Sequence, residues 1–179
     1  MDRLQHLASW IDRCNEAVGR AVAWLTVGTV LVQFTVVVLR YVFGVGLIWM
    51  QESIIYMHAT VLMVGAGYTL LHSGHVRVDI FYRTASPERK AWTDLLGVVF
   101  FLIPVMILII TVAGPYVATS WASYEGSAET SGIQAVFVLK SVILVFAALV
   151  LLQGVSLAIS SALVLAGVPV PPRASGDRF

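Results

Sequence analysis

The distribution of charge constrains this chain more than any other feature. Four long stretches, Ala21 to Leu39, Ser53 to Val76, Leu95 to Tyr124 and Ser141 to Pro172, contain no Asp, Glu, Lys or Arg. A helix rises about 1.5 Å per residue, so roughly 20 apolar residues cross a hydrocarbon core of about 30 Å, and each stretch holds such a run. The strand alternative fails, because none of the four alternates polar and apolar residues with period two as a barrel around a polar lumen requires. With no water in lipid to satisfy exposed backbone groups, helices remain. Composition agrees: 12% of the residues are charged and 59% hydrophobic, where a soluble domain carries roughly 25% charged residues.

The sequence therefore predicts an all-α membrane protein, a single membrane domain over residues 1–179. Its transmembrane helices are expected over 18–39, 52–71, 91–119 and 135–165, with a tail over 166–179. Ahead of the first span, Leu4, Leu7, Ala8, Ile11, Cys14 and Val18 recur at helical spacing opposite Asp2, Arg3, Asp12, Arg13 and Glu16. That pattern predicts an interfacial amphipathic helix over 1–17. Acids and bases persist to Arg20, unlike a cleaved signal peptide, so the first span is expected to stay. The connector Val42 to Gln51 is apolar but interrupted by Gly44 and Gly46 and carries Trp49, so it is expected along the membrane surface. Ser86-Pro87-Glu88 reads as a helix start, with Ser86 as cap, Pro87 in the first turn and the acid at the positive dipole end. Pro104 and Pro115 predict kinks, and Pro169, Pro171 and Pro172 a stop.

Counting Lys and Arg on alternate sides orients the chain. Arg3, Arg13 and Arg20, then Arg77, Arg83, Arg89 and Lys90, then Arg173 and Arg178 fall on one side; Arg40 and, if it leans outward, Lys140 fall on the other. The positive-inside rule places both termini and the middle loop in the cytoplasm.

A formal net charge of +1 leaves no electrostatic footprint for nucleic acid. The single Cys14 allows no internal disulfide, redox pair or cysteine zinc site. No nucleophile with a base, paired carboxylates, phosphate-cradling loop or metal set stands out, so neither an enzyme nor a cofactor is expected.

Ionisable groups at membrane depth are the default functional candidates. His58 in helix two is either a haem or metal ligand or a packed, hydrogen-bonded histidine; a bis-histidine haem needs a second histidine at similar depth, and His6, His72 and His75 sit at or beyond helix ends. Lys140, inside the start of helix four, follows a loop with Glu125 and Glu129 and is expected to reach those acids or the interface. Arg40 and Glu52 bracket the first connector, either as an ion pair or as separate interfacial anchors. Gly154, Ala158, Ala162 and Ala166 recur every four residues, a small-residue ridge for a close-packed helix from this chain or another.

An ordered set of local patterns then adds a family likeness: Arg40-Tyr41-Val42-Phe43-Gly44, Trp49, Glu52, Gly65-Ala66-Gly67-Tyr68-Thr69-Leu70, and Gly74-His75-Val76-Arg77-Val78-Asp79-Ile80-Phe81-Tyr82. Together they resemble the small membrane subunit of tripartite ATP-independent periplasmic (TRAP) transporters, the DctQ-like family, over about Ala17 to Leu165. The resemblance implies a non-catalytic small permease subunit of the bacterial inner membrane. It implies two partners, a large membrane subunit holding the sodium and substrate sites and a periplasmic substrate-binding protein, in uptake of small organic anions such as carboxylates. Arg40, Gly44, Trp49, Glu52, Gly65, Gly67, Gly74, His75 and Asp79 are then interface or structural residues, with Asp79 capping locally or pairing with Arg77 or Arg83. Glu125, Glu129 and Lys140 are candidates for polar contacts on the periplasmic side. Where the family often has two adjacent acids after the tryptophan, this chain has Gln51-Glu52, with apolar Ile54 and Ile55 following. The rival reading from the residues is a haem-binding membrane anchor of a redox complex, resting on His58.

Overall fold

The computed structural model describes residues 2–75 and 84–168, which form helices and no strand. In chain order these are α1 (Asp2–Val42), α2 (Ile48–Val64), α3 (Ala66–Leu71), α4 (Pro87–Gly97), a π-helical turn (Val98–Leu102), α5 (Ile103–Ala122) and α6 (Val136–Leu165). Four of the resulting helical rods, Arg3–Val42, Ile48–Leu71, Pro87–Ala122 and Val136–Leu165, are long and apolar enough to cross a membrane.

The amphipathic segment expected over 1–17 is not a separate element. It is the beginning of α1, which runs unbroken for 41 residues, about 60 Å at 1.5 Å per residue. No proline interrupts it, and its apolar positions Ala8 and Ile11 are buried rather than facing lipid. The connector is likewise shorter than expected, Phe43 to Leu47, and Trp49 lies in the first turn of α2. The reversal depends on Gly44, whose φ of +68° is strained for any residue with a Cβ; across it the Val45 N–H reaches back to the Leu39 carbonyl at 3.0 Å.

Ser86 caps α4 by accepting from the Arg89 N–H, with Pro87 and Glu88 in the first turn, as the sequence implies. The π-helical turn precedes Pro104, so the proline falls at the start of α5, where its missing N–H costs least. Helix α5 continues through Pro115. Helix α6 ends at Leu165 and is closed by Gly167, φ +71°, with the Val168 N–H bonded to the Leu163 carbonyl in a Schellman arrangement.

Helix α6 is central. It packs against α1, α2, α3, α4 and α5, and the α1–α3 hairpin meets α4–α5 chiefly through it. The apolar core, Ala66, Leu70, Val98, Met106, Ala147, Val150 and Leu157, lies where α3, the π turn and α5 converge on α6.

Candidate functional site

Polar side chains gather at two levels. At the end away from the start of α1, Glu52 in the first turns of α2 is clasped by the α5–α6 loop. Its carboxylate accepts from the Ser127 hydroxyl and, at 2.6 Å, from the Ile133 N–H. The Ser127 oxygen also accepts from the Glu129 N–H at 3.1 Å, so one acid organises the loop around itself. Three residues beyond Ala122, Glu125 accepts from the Lys140 ammonium at 2.5 Å, while that ammonium lies 4.1 Å from the centre of the Tyr116 ring. This ion pair holds the Glu125 carboxyl below its ordinary value. Trp121 donates to the Ser141 hydroxyl at 2.7 Å and packs edge-on against Phe137, with Tyr124 on the same ring. The lysine does reach an acid, as its place in the sequence suggests; that acid is Glu125, while Glu129 stands exposed.

The second level lies near the start of α1. Gln153 and Ser156 on α6, both fully buried, face α1: Gln153 accepts from the Asn15 amide at 2.9 Å and donates to Asp12 at 2.9 Å. Ser156 donates to the same Asp12 oxygen at 2.6 Å. Glu16 bridges Arg20 at 2.7 Å and the His72 ring at 2.6 Å, joining α1 to the end of α3. Gly67 makes the approach possible, since a Cβ there would fall on the Asn15 side-chain oxygen and 3.3 Å from the Leu149 Cβ. From Glu52 to His72 is 20 residues, about 30 Å of helix, so the two levels are separated by about the thickness of a hydrocarbon core.

The sequence does not single out Asn15, Gln153 or Ser156, because a search for ionisable groups passes over amides and hydroxyls. The available signal is periodic: Gln153, Ser156 and Ser160 recur at i, i+3 and i+7, one face of an otherwise apolar helix, opposite Asp12 and Asn15 at i and i+3.

Other expected residues fall differently. The Arg40–Glu52 ion pair does not form among the described residues; both Glu52 oxygens are taken by the loop and Arg40 is exposed. His58 has no hydrogen bond among the described residues and is exposed on α2, because α1 and α6 cover the other faces of that helix. No second histidine joins it, since His72 is engaged by Glu16 and His6 lies near the start of α1. Along the small-residue ridge, Gly154 is buried against Leu102, Ala158 packs on the core and Ala162 is exposed. The first two therefore meet this chain's own helices. Gly65 closes α2, Gly74 donates its N–H to the Thr69 carbonyl at 2.8 Å beyond α3, and His75 and Trp49 are exposed. Asp79 lies outside the described residues.

These polar groups chiefly tie helix to helix and loop to helix, an architecture suited to holding a shape within a membrane. No metal-holding cluster of His, Cys, Asp or Glu occurs among the described residues. No curated protein and no solved structure matches the chain. Residues 29–163 match the family model described as "Tripartite ATP-independent periplasmic transporters, DctQ component", which takes in Ile48–Leu71 and Pro87–Ala122 whole, nearly all of Val136–Leu165, and the part of the first membrane-crossing helix from residue 29 onward. The chain belongs to the DctQ component family of tripartite ATP-independent periplasmic transporters.

Proposed function

We propose that this chain is the non-catalytic small permease subunit of its transporter, bracing the static scaffold of the large membrane subunit and helping to dock the periplasmic substrate-binding protein during sodium-coupled uptake of small organic anions. The family match over residues 29–163 carries the reading. Sodium and carboxylate enter through the resemblance to the family, and the chemistry of transport belongs to the large subunit. The structure supports a brace in a specific way: each polar level joins at least three helical segments, through Glu52, the α5–α6 loop and Lys140 at one end and α1, α3 and α6 at the other.

On this reading both termini and the segment after His75 are cytoplasmic, as the bias of Arg and Lys requires, and the Glu52 clasp faces the periplasm. The α5–α6 loop is then the docking surface, with Glu129 its outward acid, while Glu125 is neutralised by Lys140. Arg40, Gly44 and Trp49 frame the neighbouring turn at the same surface.

Mass spectrometry of what co-purifies with the tagged chain from native membranes in mild detergent tests the reading. A stoichiometric, much larger hydrophobic partner is expected; the chain alone, or iron–sulfur or flavin subunits, would overturn it. Reversing charge with Glu129→Lys should lower uptake several-fold at unchanged complex yield, because electrostatic complementarity acts on encounter more than on folding. Undiminished uptake across binding-protein concentrations would remove Glu129 from the docking surface.

A further inference from the structure

We propose that the outward stripe of α2 formed by Ile55, His58 and Leu62 is the seat of the large membrane subunit, with the His58 imidazole hydrogen-bonded to a polar group of that subunit. The proposal rests on the subunit reading above and adds which face meets the partner and through which side chain.

Position is the first argument. His58 lies six residues from Glu52, about 9 Å of helix below the polar level that Glu52 marks, and 14 residues, about 21 Å, from His72 at the other. It is therefore inside the hydrocarbon layer. Orientation is the second. Ile55 and Leu62 are 58% and 61% exposed and, at i−3 and i+4 from His58, share its face; the histidine is exposed between them.

Chemistry is the third. The ring has no hydrogen-bond or ion-pair partner among the described residues. Acyl chains offer it none, and ionisable groups at such depth face protein or water. A lysine can carry its charge along a long stem to the headgroups, but an imidazole on a single methylene cannot. The occupant must therefore bring a hydrogen-bonding group to this depth, as a membrane helix of another subunit does. The stripe of α1 through Trp24, Val27, Leu31 and Phe34 presents apolar side chains compatible with lipid, with the exposed Gln33 amide on the adjoining face. Since the chain is one component of a multi-component transporter, the occupant is the large subunit rather than a second copy.

Photo-crosslinking in intact membranes tests this. A benzophenone amino acid is placed at Ile55 or Leu62 in the full complex, with Phe34 as the comparison site, and adducts are identified by mass. The expected result is an adduct with the large subunit from positions 55 and 62 and little from 34. His58→Leu should reduce the large subunit retained in detergent by about three- to tenfold, on the scale of an interhelical hydrogen bond, and His58→Gln should restore most of it. Adducts only with lipid or a second copy, while the large subunit still co-purifies, would overturn the assignment of this face and leave the subunit reading intact. Adducts with undiminished retention in His58→Leu would overturn the role of the imidazole. Failure of the unaltered chain to retain any large membrane partner would overturn both readings.

Discussion

Gly67 and Asn15 show how one missing methyl group can set the distance between helices. The Asn15 side-chain oxygen occupies the space a Cβ at residue 67 would need. Gly67→Ala should therefore lower the stability of the purified chain by about 1–3 kcal/mol, as overpacking does, read as a lower thermal unfolding midpoint in detergent. Adding Asn15→Ala should recover part of the loss, because substitutions in contact are not additive. An unchanged midpoint for Gly67→Ala would contradict the close approach. Glu125 offers a titration at the same scale. Beside Lys140 its carboxyl binds a proton less readily folded than unfolded, so the Glu125–Lys140 ion pair contributes stability above the ordinary carboxylate value of about 4.3 and loses it as pH falls through the lowered value. A variant retaining Trp121 as its sole tryptophan should show a fluorescence change on acidification, and Glu125→Gln should abolish it. The Lys140 contact is legible in the sequence, since a lone lysine in an apolar helix after an acidic loop has few other partners. The Asp12–Gln153–Ser156 contacts are not, because 141 and 144 residues separate the partners and the helical spacing of Gln153 and Ser156 marks a polar face without naming what it meets.

At the scale of the element, each of the four charge-free stretches falls on a helix long and apolar enough to cross a membrane, the last of them on Val136–Leu165. The capped start of α4 is equally local, because Ser86, Pro87 and Glu88 act within one turn. The first helix is misjudged for a physical reason. A change from amphipathic to apolar pattern marks a change of surroundings, and with no proline between residues 2 and 42 nothing requires the backbone to break there. The small-residue ridge of α6 separates by burial into different roles. Ala158→Leu, against the core, should cost about 1–3 kcal/mol of stability, whereas Ala162→Leu, exposed, should leave the unfolding midpoint of the isolated chain within error. Equal losses for the two would argue that the ridge acts as one surface.

At the scale of the molecule, helices arranged around α6 leave broad outer faces uncovered. Over residues 21–39 of α1 only Val36 is buried, whereas α6 buries Ala147, Val150, Gln153, Gly154, Ser156 and Leu157 within 11 residues. Those faces are left to the chain's surroundings, and within the chain shape is held by internal polar ties and by packing on α6. Deleting residues 2–17 should expose Gln153 and Ser156, since Asp12 and Asn15 leave with the segment. The shortened chain is expected to accumulate poorly and to unfold at lower temperature; full accumulation with an unchanged midpoint would show the ties to be dispensable.

The central place of α6 has a consequence for biogenesis. It leaves the ribosome after α1 to α5, yet its Gln153 and Ser156 bond to Asp12 and Asn15, which lie 138 to 144 residues earlier in the chain. Until α6 inserts, Asp12 and Asn15 lack these contacts, and α3, α4 and α5 lack the helix on which they chiefly pack, while α1 and α2 already have each other. Insertion of α6 thus closes contacts that the helices before it leave open: a chain interrupted before α6 keeps the Asp12 carboxylate and the Asn15 amide without their α6 partners.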